Sequence, residues 1–283
     1  MKPAPFGYLD PVTAAEAISE LGRLGGEAKV LAGGQSLVPL CNLRLARPRY
    51  LVDINHVDEL AYLESVDGYL AVGATVRQRT VENSPLVRES CPLLPDALTF
   101  VGHSVIRERG TVCGSLAHAD PAAELPAVLV ALDGSVKLRD ESGERIVAAD
   151  DFFHSFLTTD LHPDELMVEA RFPVLPPGSG VAFEESARRQ GDFALVGVAC
   201  AALPDGSFRL AVSGAGPRPL RAREAEEAAA GGDAQAAGEL AAAASEPGDD
   251  LHASAEYRRS LVRTLVRRAV GRASQLKEER ARG

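Results

Sequence analysis

Hydrophobic and polar positions along this chain switch between two periods, and each switch marks an element. In "TAAEAISELGRLG" (13–25), Ala14, Ala17, Ile18 and Leu21 fall on one helical face. Thr13 caps that helix, and Glu16 three residues later completes a capping box. "AKVLA" (28–32) is a short apolar run that ends in Gly33-Gly34, and "RYLVDIN" (49–55) reads as a second short strand. Period two then governs "YLESVDGYLAVGA" (62–74), a hairpin turning at Asp67-Gly68. Helical patterns fill 77–108, and a further helix is expected from Pro121 to about Leu132. "SVKLRD" and "ERIVAAD" pair across Glu141-Ser142-Gly143, and "LMVEARFP" is a strand that ends near residue 175.

"VLPPGSG" (174–180) punctuates the chain with Pro-Pro and Gly, the sharpest break in the pattern. After it, "FALVGVACAAL" and "SFRLAVSGA" read as strands paired around Pro204-Asp205-Gly206. The Ala-rich segment 222–245 reads as two short surface helices. "SAEYRRSLVRTLVRRAVGRA" (254–273) is a stronger helix, and its charged end "KEERARG" is expected to fray. Three units follow: 1–55, 56–175 and 176–283. No internal repeat is present.

Composition narrows the class. The 283 residues are 46 % hydrophobic and 25 % charged, ordinary globular usage. The net charge of -10 argues against an electrostatic nucleic-acid binder and fits small-molecule or protein partners. Cys41, Cys91, Cys113 and Cys200 stand too far apart for a zinc or iron–sulfur motif. "MKPAPFGYLD" has no apolar signal core, and no apolar run approaches the ~20 residues of a membrane span. The expectation is a reduced, cytoplasmic protein with no membrane span.

The candidate chemistry sits in two glycine loops. "KVLAGGQSL" (29–37) is neither a Walker A loop, which needs a Lys after its glycines, nor a G-x-G-x-x-G dinucleotide fingerprint. Two readings remain: a nest of amides, with the Ser36 hydroxyl, that holds an anion such as a pyrophosphate, or a tight turn that binds nothing. "GTVCGSLAHADPAAE" (110–124) adds Gly110, Thr111, Gly114 and Ser115, then His118, Asp120 and Glu124. Small residues let a bulky ligand lie against backbone, and hydroxyls satisfy phosphate or ribose oxygens. Two such loops suggest a long ligand with phosphates in its middle. A side chain at Gly33 or Gly114 is expected to fill the place of a phosphate oxygen and to forbid the positive φ the loop needs.

"LAGGQSL", "GTVCGSLAHADPAAELPA" and "HASAEYRRSL" together resemble the FAD-binding medium subunit of the molybdenum hydroxylases, the group of aerobic carbon monoxide dehydrogenase and xanthine dehydrogenase. The resemblance runs through nearly the whole chain. It implies an α+β fold: two N-terminal α/β FAD-binding subdomains of the vanillyl-alcohol-oxidase/PCMH type, then a C-terminal sheet-and-helix flavoprotein domain. It implies that Lys29, Val30, Leu31, Ala32, Gly33, Gly34, Gln35, Ser36 and Leu37, with Gly110, Thr111, Cys113, Gly114 and Ser115, wrap the FAD pyrophosphate. It places His118 and Asp120 in a segment that positions the flavin, and Glu124 near the ribose and phosphate end. Met167 falls beside the adenine, Val101 against the flavin ring, and Phe193 where an aromatic covers the isoalloxazine. Glu184 stands where some eukaryotic relatives carry a Lys near the flavin carbonyl edge. Cys113-Gly114 replaces a more usual pair of glycines and is expected to alter the loop slightly.

The implied activity is electron transfer. A large subunit would carry the molybdenum cofactor and a small one the 2Fe-2S clusters. FAD here would pass electrons to a quinone, oxygen or NAD, and no side chain of this chain is read as acid, base or nucleophile. Two rivals stay open: a stand-alone flavin oxidoreductase of the same fold, and a non-catalytic nucleotide-binding assembly protein. His118 and Asp120 are too few ligands for a metal site. "RRQGD" (188–192) reads as a solvated turn with local ion pairs, and the basic face of "RRSLVRTLVRR" as solvated or subunit-facing.

Overall fold

A computed structural model describes residues 1–282. The first unit holds β1 (Gly7–Leu9), α1 (Ala14–Leu24), β2 (Ala28–Leu31), α2 (Leu37–Asn42) and β3 (Tyr50–Asp53). Its strands form a parallel sheet in the order β1-β3-β2. Thr13 Oγ1 accepts the Glu16 amide at 3.1 Å and Glu16 accepts the Val12 amide at 2.9 Å, so α1 begins with a capping interaction at each end of the first turn. Its face Ala14, Ala17, Ile18 and Leu21 is buried.

The middle unit contains β4 (Leu63–Val66), β5 (Tyr69–Gly73), α3 (Gln78–Asn83), α4 (Pro85–Ser90), α5 (Leu93–Leu98), α6 (Ser104–Arg109), α7 (Val112–His118) and α8 (Glu124–Ala131). It continues with β6 (Ser135–Arg139), β7 (Glu144–Ala148), α9 (Ala149–Phe152), β8 (Phe153–Ser155), β9 (Thr158–Thr159) and β10 (Leu166–Pro173). Five of these strands form an antiparallel sheet, β4-β5-β10-β6-β7. The helical pattern at 77–108 is four one-to-two-turn helices. Pro85 opens α4 under a Ser84 cap, and Pro92 divides α4 from α5. The helix expected from Pro121 starts instead at Glu124. Asp120 Oδ1 accepts the Ala122 amide at 2.9 Å, and this local turn displaces the first helical turn. All eight residues of α8 are buried, as an all-round apolar helix requires.

The last unit has β11 (Gly180–Ala187), β12 (Ala194–Ala202), β13 (Phe208–Ser213), β14 (Leu220–Arg221), α10 (Arg223–Ala230), α11 (Ala234–Ala244) and α12 (Ala255–Arg282). Its antiparallel sheet is ordered β11-β12-β13-β14. Every residue of β12 is buried because the sheet is covered on both faces. Val181, Phe183, Ala199 and Ala201 join the core of the first two units, and Phe183 meets Phe100 at 5.4 Å between ring centroids. Ala182, Val198, Cys200 and Ala202 face a second core made by α10, α11 and α12. The Ala-rich helices are thus half-buried supports: Ala225, Ala229, Ala237 and Ala241 point inward. The charged end of α12 stays helical to Arg282, because Arg280 Nη1 reaches the Ser179 carbonyl at 2.6 Å and Gln275 pairs with Glu279 at 2.8 Å. Among the described residues, no helix is long and apolar enough to cross a membrane.

Candidate functional site

The first glycine loop leaves the end of β2, where Ile54 N donates to the Leu31 carbonyl at 3.0 Å. Gly33 is buried against the second loop. A Cβ there would collide with the Arg109 carbonyl oxygen and stand 2.8 Å from Gly110 Cα and 3.0 Å from Thr111 N. Gly34 carries the positive φ, 74°, that turns the chain into α2. The Val38 amide closes this turn on the Gly34 carbonyl at 3.0 Å. The amides of Gly33, Gly34, Gln35, Ser36 and Leu37 donate to no protein acceptor among the described residues. Ser36 makes no side-chain cap.

The second loop is finished within the protein. Thr111 is the N-cap of α7: its Oγ1 accepts the Gly114 amide at 3.1 Å, and its carbonyl accepts the Ser115 amide at 3.2 Å. Gly114 has no positive φ; a Cβ there would lie 2.5 Å from Thr111 Oγ1 and 4.0 Å from Ala32 Cβ. Gly110 passes so close to Gln78 that a Cβ would stand 2.7 Å from Gln78 Oε1. The helix ends at Ala119, in the left-handed conformation with φ 51°.

Two side chains tie the loops together. Asn55 Nδ2 donates to the Ala32 carbonyl at 2.9 Å. Asn55 Oδ1 accepts from Arg77 Nη2 at 2.5 Å, and Arg77 Nη1 donates to the Arg109 carbonyl at 2.8 Å. Backbone bonds from Gln78 N to Gly110 O (2.8 Å) and from Val112 N to Val76 O (3.4 Å) flank this contact. Neither Arg77 nor Arg109 has a carboxylate within ion-pair distance among the described residues. Burial first, then the neighbouring Arg109 cation, pulls Arg77 below the ordinary guanidinium value, while Asp53 opposes.

Beyond α7 the chain borders a crevice of about 840 Å³. Asp120, Pro121, Phe156, Arg188 and Phe193 line it. Phe193 is 76 % exposed and Phe156 61 %, two unpartnered aromatic faces on one opening. The turn 188–192 meets the segment after Val101: a Cβ at Gly191 would sit 2.5 Å from the His103 ring. Val101 is half-buried, and its carbonyl accepts from Arg107 Nη1 at 2.8 Å.

Glu124 is buried at the start of α8, and burial pushes its carboxyl up to about 7. Glu185 faces the same interior and is pushed up to about 8, by burial and then by Glu124. Its Oε2 has no partner, nor has Ser213 Oγ. Glu185, Gly197 and Ser213 stand in one cross-strand row, so the glycine leaves a notch between the two unpaired oxygens. Glu184, on the opposite face, pairs with Arg272 at 3.4 Å.

Residues 4–175 match the family described as the FAD binding domain in molybdopterin dehydrogenase, and residues 181–273 match the CO dehydrogenase flavoprotein C-terminal domain. The chain belongs to the FAD-binding medium subunits of the molybdenum hydroxylases. Over 283 residues it is 40 % identical to the 6-hydroxypseudooxynicotine dehydrogenase complex subunit alpha of Paenarthrobacter nicotinovorans, covering 96 % of each chain. It is 36 % identical to the carbon monoxide dehydrogenase medium chain of Hydrogenophaga pseudoflava, covering 96 % of this chain and 98 % of that one. The solved carbon monoxide dehydrogenase of the same organism superimposes with a TM-score of 0.93 over 98 % of this chain and 99 % of that chain. Quinoline 2-oxidoreductase of Pseudomonas putida 86 superimposes with a TM-score of 0.91 at 35 % identity, over 97 % of this chain and 99 % of that chain. This medium subunit is therefore an oxidoreductase subunit whose cofactor is FAD. The residues present fit that group: glycines whose Cβ would fill the loop junction, unpaired amides, and two cations without carboxylate partners.

The sequence-expected residues fall into three sets. Ala32, Gly33, Gly110, Thr111 and Gly114 meet at the loop junction; Gly34, Gln35, Ser36, Leu37 and Ser115 extend from it. Asp120 and Phe193 border the crevice, and His118 and Glu124 flank Asp120 along the chain; burial lowers the His118 imidazole. Val101 stands apart, beside the 188–192 turn. The rest are placed differently. Lys29 points outward from an edge strand, and Val30 and Leu31 are residues of that strand, upstream of the loop junction. Met167 is buried within the middle sheet at a β-bulge. Cys113 lies inside α7, its Sγ directed at the Val72 carbonyl (3.4 Å), and burial pushes the thiol up to about 12. The positive φ expected at Gly33 and Gly114 belongs to Gly34 alone; the other two are glycines for close approach. "RRQGD" forms no local ion pair among the described residues; Arg188 instead reaches the ring of His252 at 3.1 Å, 64 residues along the chain. The basic helix face is not all solvated: Arg258 is buried, holding the Leu195 carbonyl at 2.6 Å and Asp250 at 2.6 Å. Asn55 and Arg77 carry no signal in the sequence; no spacing links 55, 77 and 109 until the fold does.

Proposed function

We propose that this chain is the electron-transfer subunit of a three-part molybdenum hydroxylase. A large subunit would oxidise the substrate at its molybdenum cofactor. A small subunit would carry electrons through 2Fe-2S clusters to FAD here, and an external acceptor (quinone, oxygen or NAD) would remove them. FAD, when bound, supplies the chemistry, taking up electrons and passing them on. The chain's own residues would bind and orient it: the amides of residues 33–37 and of Thr111 for the pyrophosphate, Phe193 and Val101 for the flavin ring, and Glu124 for an inward-facing hydrogen-bond donor of the cofactor. The observation that carries this reading is the meeting of two glycine loops, the first with its amides unpaired, beside two arginines that have no carboxylate partner among the described residues. The four free cysteines, all buried, agree with a reduced, cytoplasmic setting.

The test is co-expression with candidate large and small subunits, followed by size-exclusion chromatography and a visible spectrum. The expected result is one co-eluting assembly whose flavin is released by acid. A chain that elutes alone, and oxidises a substrate with its own flavin, would replace this reading with the stand-alone oxidoreductase.

A further inference from the structure

Arg77 touches both glycine loops, one directly and one through Asn55, and its charge is unanswered. Its partners are the Arg109 carbonyl and the Asn55 amide oxygen, both neutral. The nearest acid along this path, Asp53, is held by the Tyr8 hydroxyl at 2.7 Å and by the Asn55 amide at 2.9 Å. A half-buried guanidinium with only neutral partners carries a desolvation cost that no ion pair offsets. Arg109 adds a second cation beside it. The same junction holds the unpaired amides of Gly33 and Thr111. Fixed positive ends of this kind, gathered in one place and already shaped, call for a multiply charged anion with several acceptor oxygens.

We propose that Arg77, oriented by Asn55, is a positioning residue that staples the two glycine loops into one cradle, and that a diphosphate supplies the counter-charge the staple lacks. The proposal rests on the FAD reading but is narrower than it. It assigns the loop-to-loop geometry to a side-chain relay, Ala32 carbonyl to Asn55 to Arg77 to Arg109 carbonyl, and it makes the diphosphate, rather than the flavin ring, the group that responds to Arg77. A Lys at this position keeps the charge but cannot bridge two acceptors in a fixed fork.

The experiment measures binding of FAD, ADP and riboflavin to the flavin-stripped protein, purified in whatever assembly it forms, by calorimetry at low and raised salt. Variants are Arg77→Met, Arg77→Lys and Asn55→Ala, each checked by thermal melting. Arg77→Met should weaken FAD and ADP by the same factor, about tenfold to hundredfold, and leave riboflavin unchanged. Its affinity for ADP should also depend less on salt. Arg77→Lys should fall between Met and wild type. Asn55→Ala should weaken ADP, and add little when combined with Arg77→Met, because the two act as one unit. If Arg77→Met does not fold, Asn55→Ala alone decides by the same ADP-against-riboflavin comparison. Wild-type protein that binds FAD, with ADP affinity unmoved in folded variants, overturns the staple and leaves the FAD reading standing. Wild type that binds ADP through Arg77 but not FAD supports the staple and sinks the FAD reading. Wild type that binds neither overturns both.

Discussion

At the second glycine loop, Thr111 accepts the Gly114 amide and its carbonyl takes the Ser115 amide, so α7 starts fully formed. At the first loop, Ser36 caps nothing and five consecutive amides stay unpaired. Both stretches are short, glycine-bearing and followed by a one-to-two-turn helix. One is completed by its own side chain; the other keeps its amides open. The second loop is buried against the middle sheet through Val112, Cys113 and Leu116, whereas Gln35 and Val38 of the first are exposed. A site built this way has a rigid wall and a responsive one. Damage to the wall should register first in stability, and damage to the responsive side first in affinity.

The largest expected effect is that of Gly33→Val. The branched side chain must displace the Arg109 carbonyl and Gly110, backbone that cannot swing aside. Titration of the stripped variant with FAD should show a loss of about a hundredfold or more, the scale of a disrupted multi-bond anion site. Gly114→Val meets the Thr111 hydroxyl instead, so its melting temperature should fall in step with its affinity. An unchanged FAD affinity in folded Gly33→Val would break the comparison at its root.

Next comes Thr111→Val against Ser36→Ala. Losing the Thr111 cap should cost about 1 kcal/mol of stability, a shift of roughly 2–4 °C at this size, with FAD affinity nearly held. Ser36→Ala should leave the melting temperature alone and weaken FAD modestly. Equal destabilisation by both would show that the first loop is as self-sufficient as the second.

The rigid side should also carry a pH signature. Glu124 and Glu185 hold their protons to about 7 and about 8, against an unfolded value of 4.5. Between those values the folded chain binds more protons than the unfolded one, so this pair's contribution to stability falls as pH rises through that window and is level above it. Lowered His118 works in the opposite direction below its ordinary value, so the informative quantity is the difference from a variant. Glu185→Gln should melt higher than wild type above pH 8, by roughly 2–4 °C, and match it below pH 5. A constant offset across pH would mean that Glu185 is not the titrating group.

The smallest effect is expected at Phe193. It is 76 % exposed, so Phe193→Ala should not move the melting temperature. FAD affinity should drop only a few-fold, the scale of one lost aromatic contact. A loss as large as that of Gly33→Val would shift the weight of binding from the phosphates to the ring.

How much of this could be read beforehand depends on whether the signal was local. The α1 cap, the Asp67-Gly68 hairpin and both glycine loops are local, and each is where the residues alone place it. The Asp120 turn shortened α8 because a side-chain oxygen competed with a helix start. Arg258 looked like one of several solvated cations on a basic helix; only the sheet beneath it supplies the Leu195 and Gly214 carbonyls it holds. Cys113 looked like a loop residue because its neighbours are small, yet a seven-residue helix turns its thiol into the core. Asn55 and Arg77 lie 22 residues apart and acquire a role only when β3 and the start of α3 are brought beneath the loops.

The sheet β11–β14 has one face in each of two cores, and this bears on the order in which the protein is made. Phe100 has no aromatic partner until Phe183 has left the ribosome, and α8 has no roof until β12 and β13 arrive. The FAD-binding units therefore emerge with an unfinished apolar surface and must wait for the last unit to follow, a state in which nascent proteins are prone to aggregate.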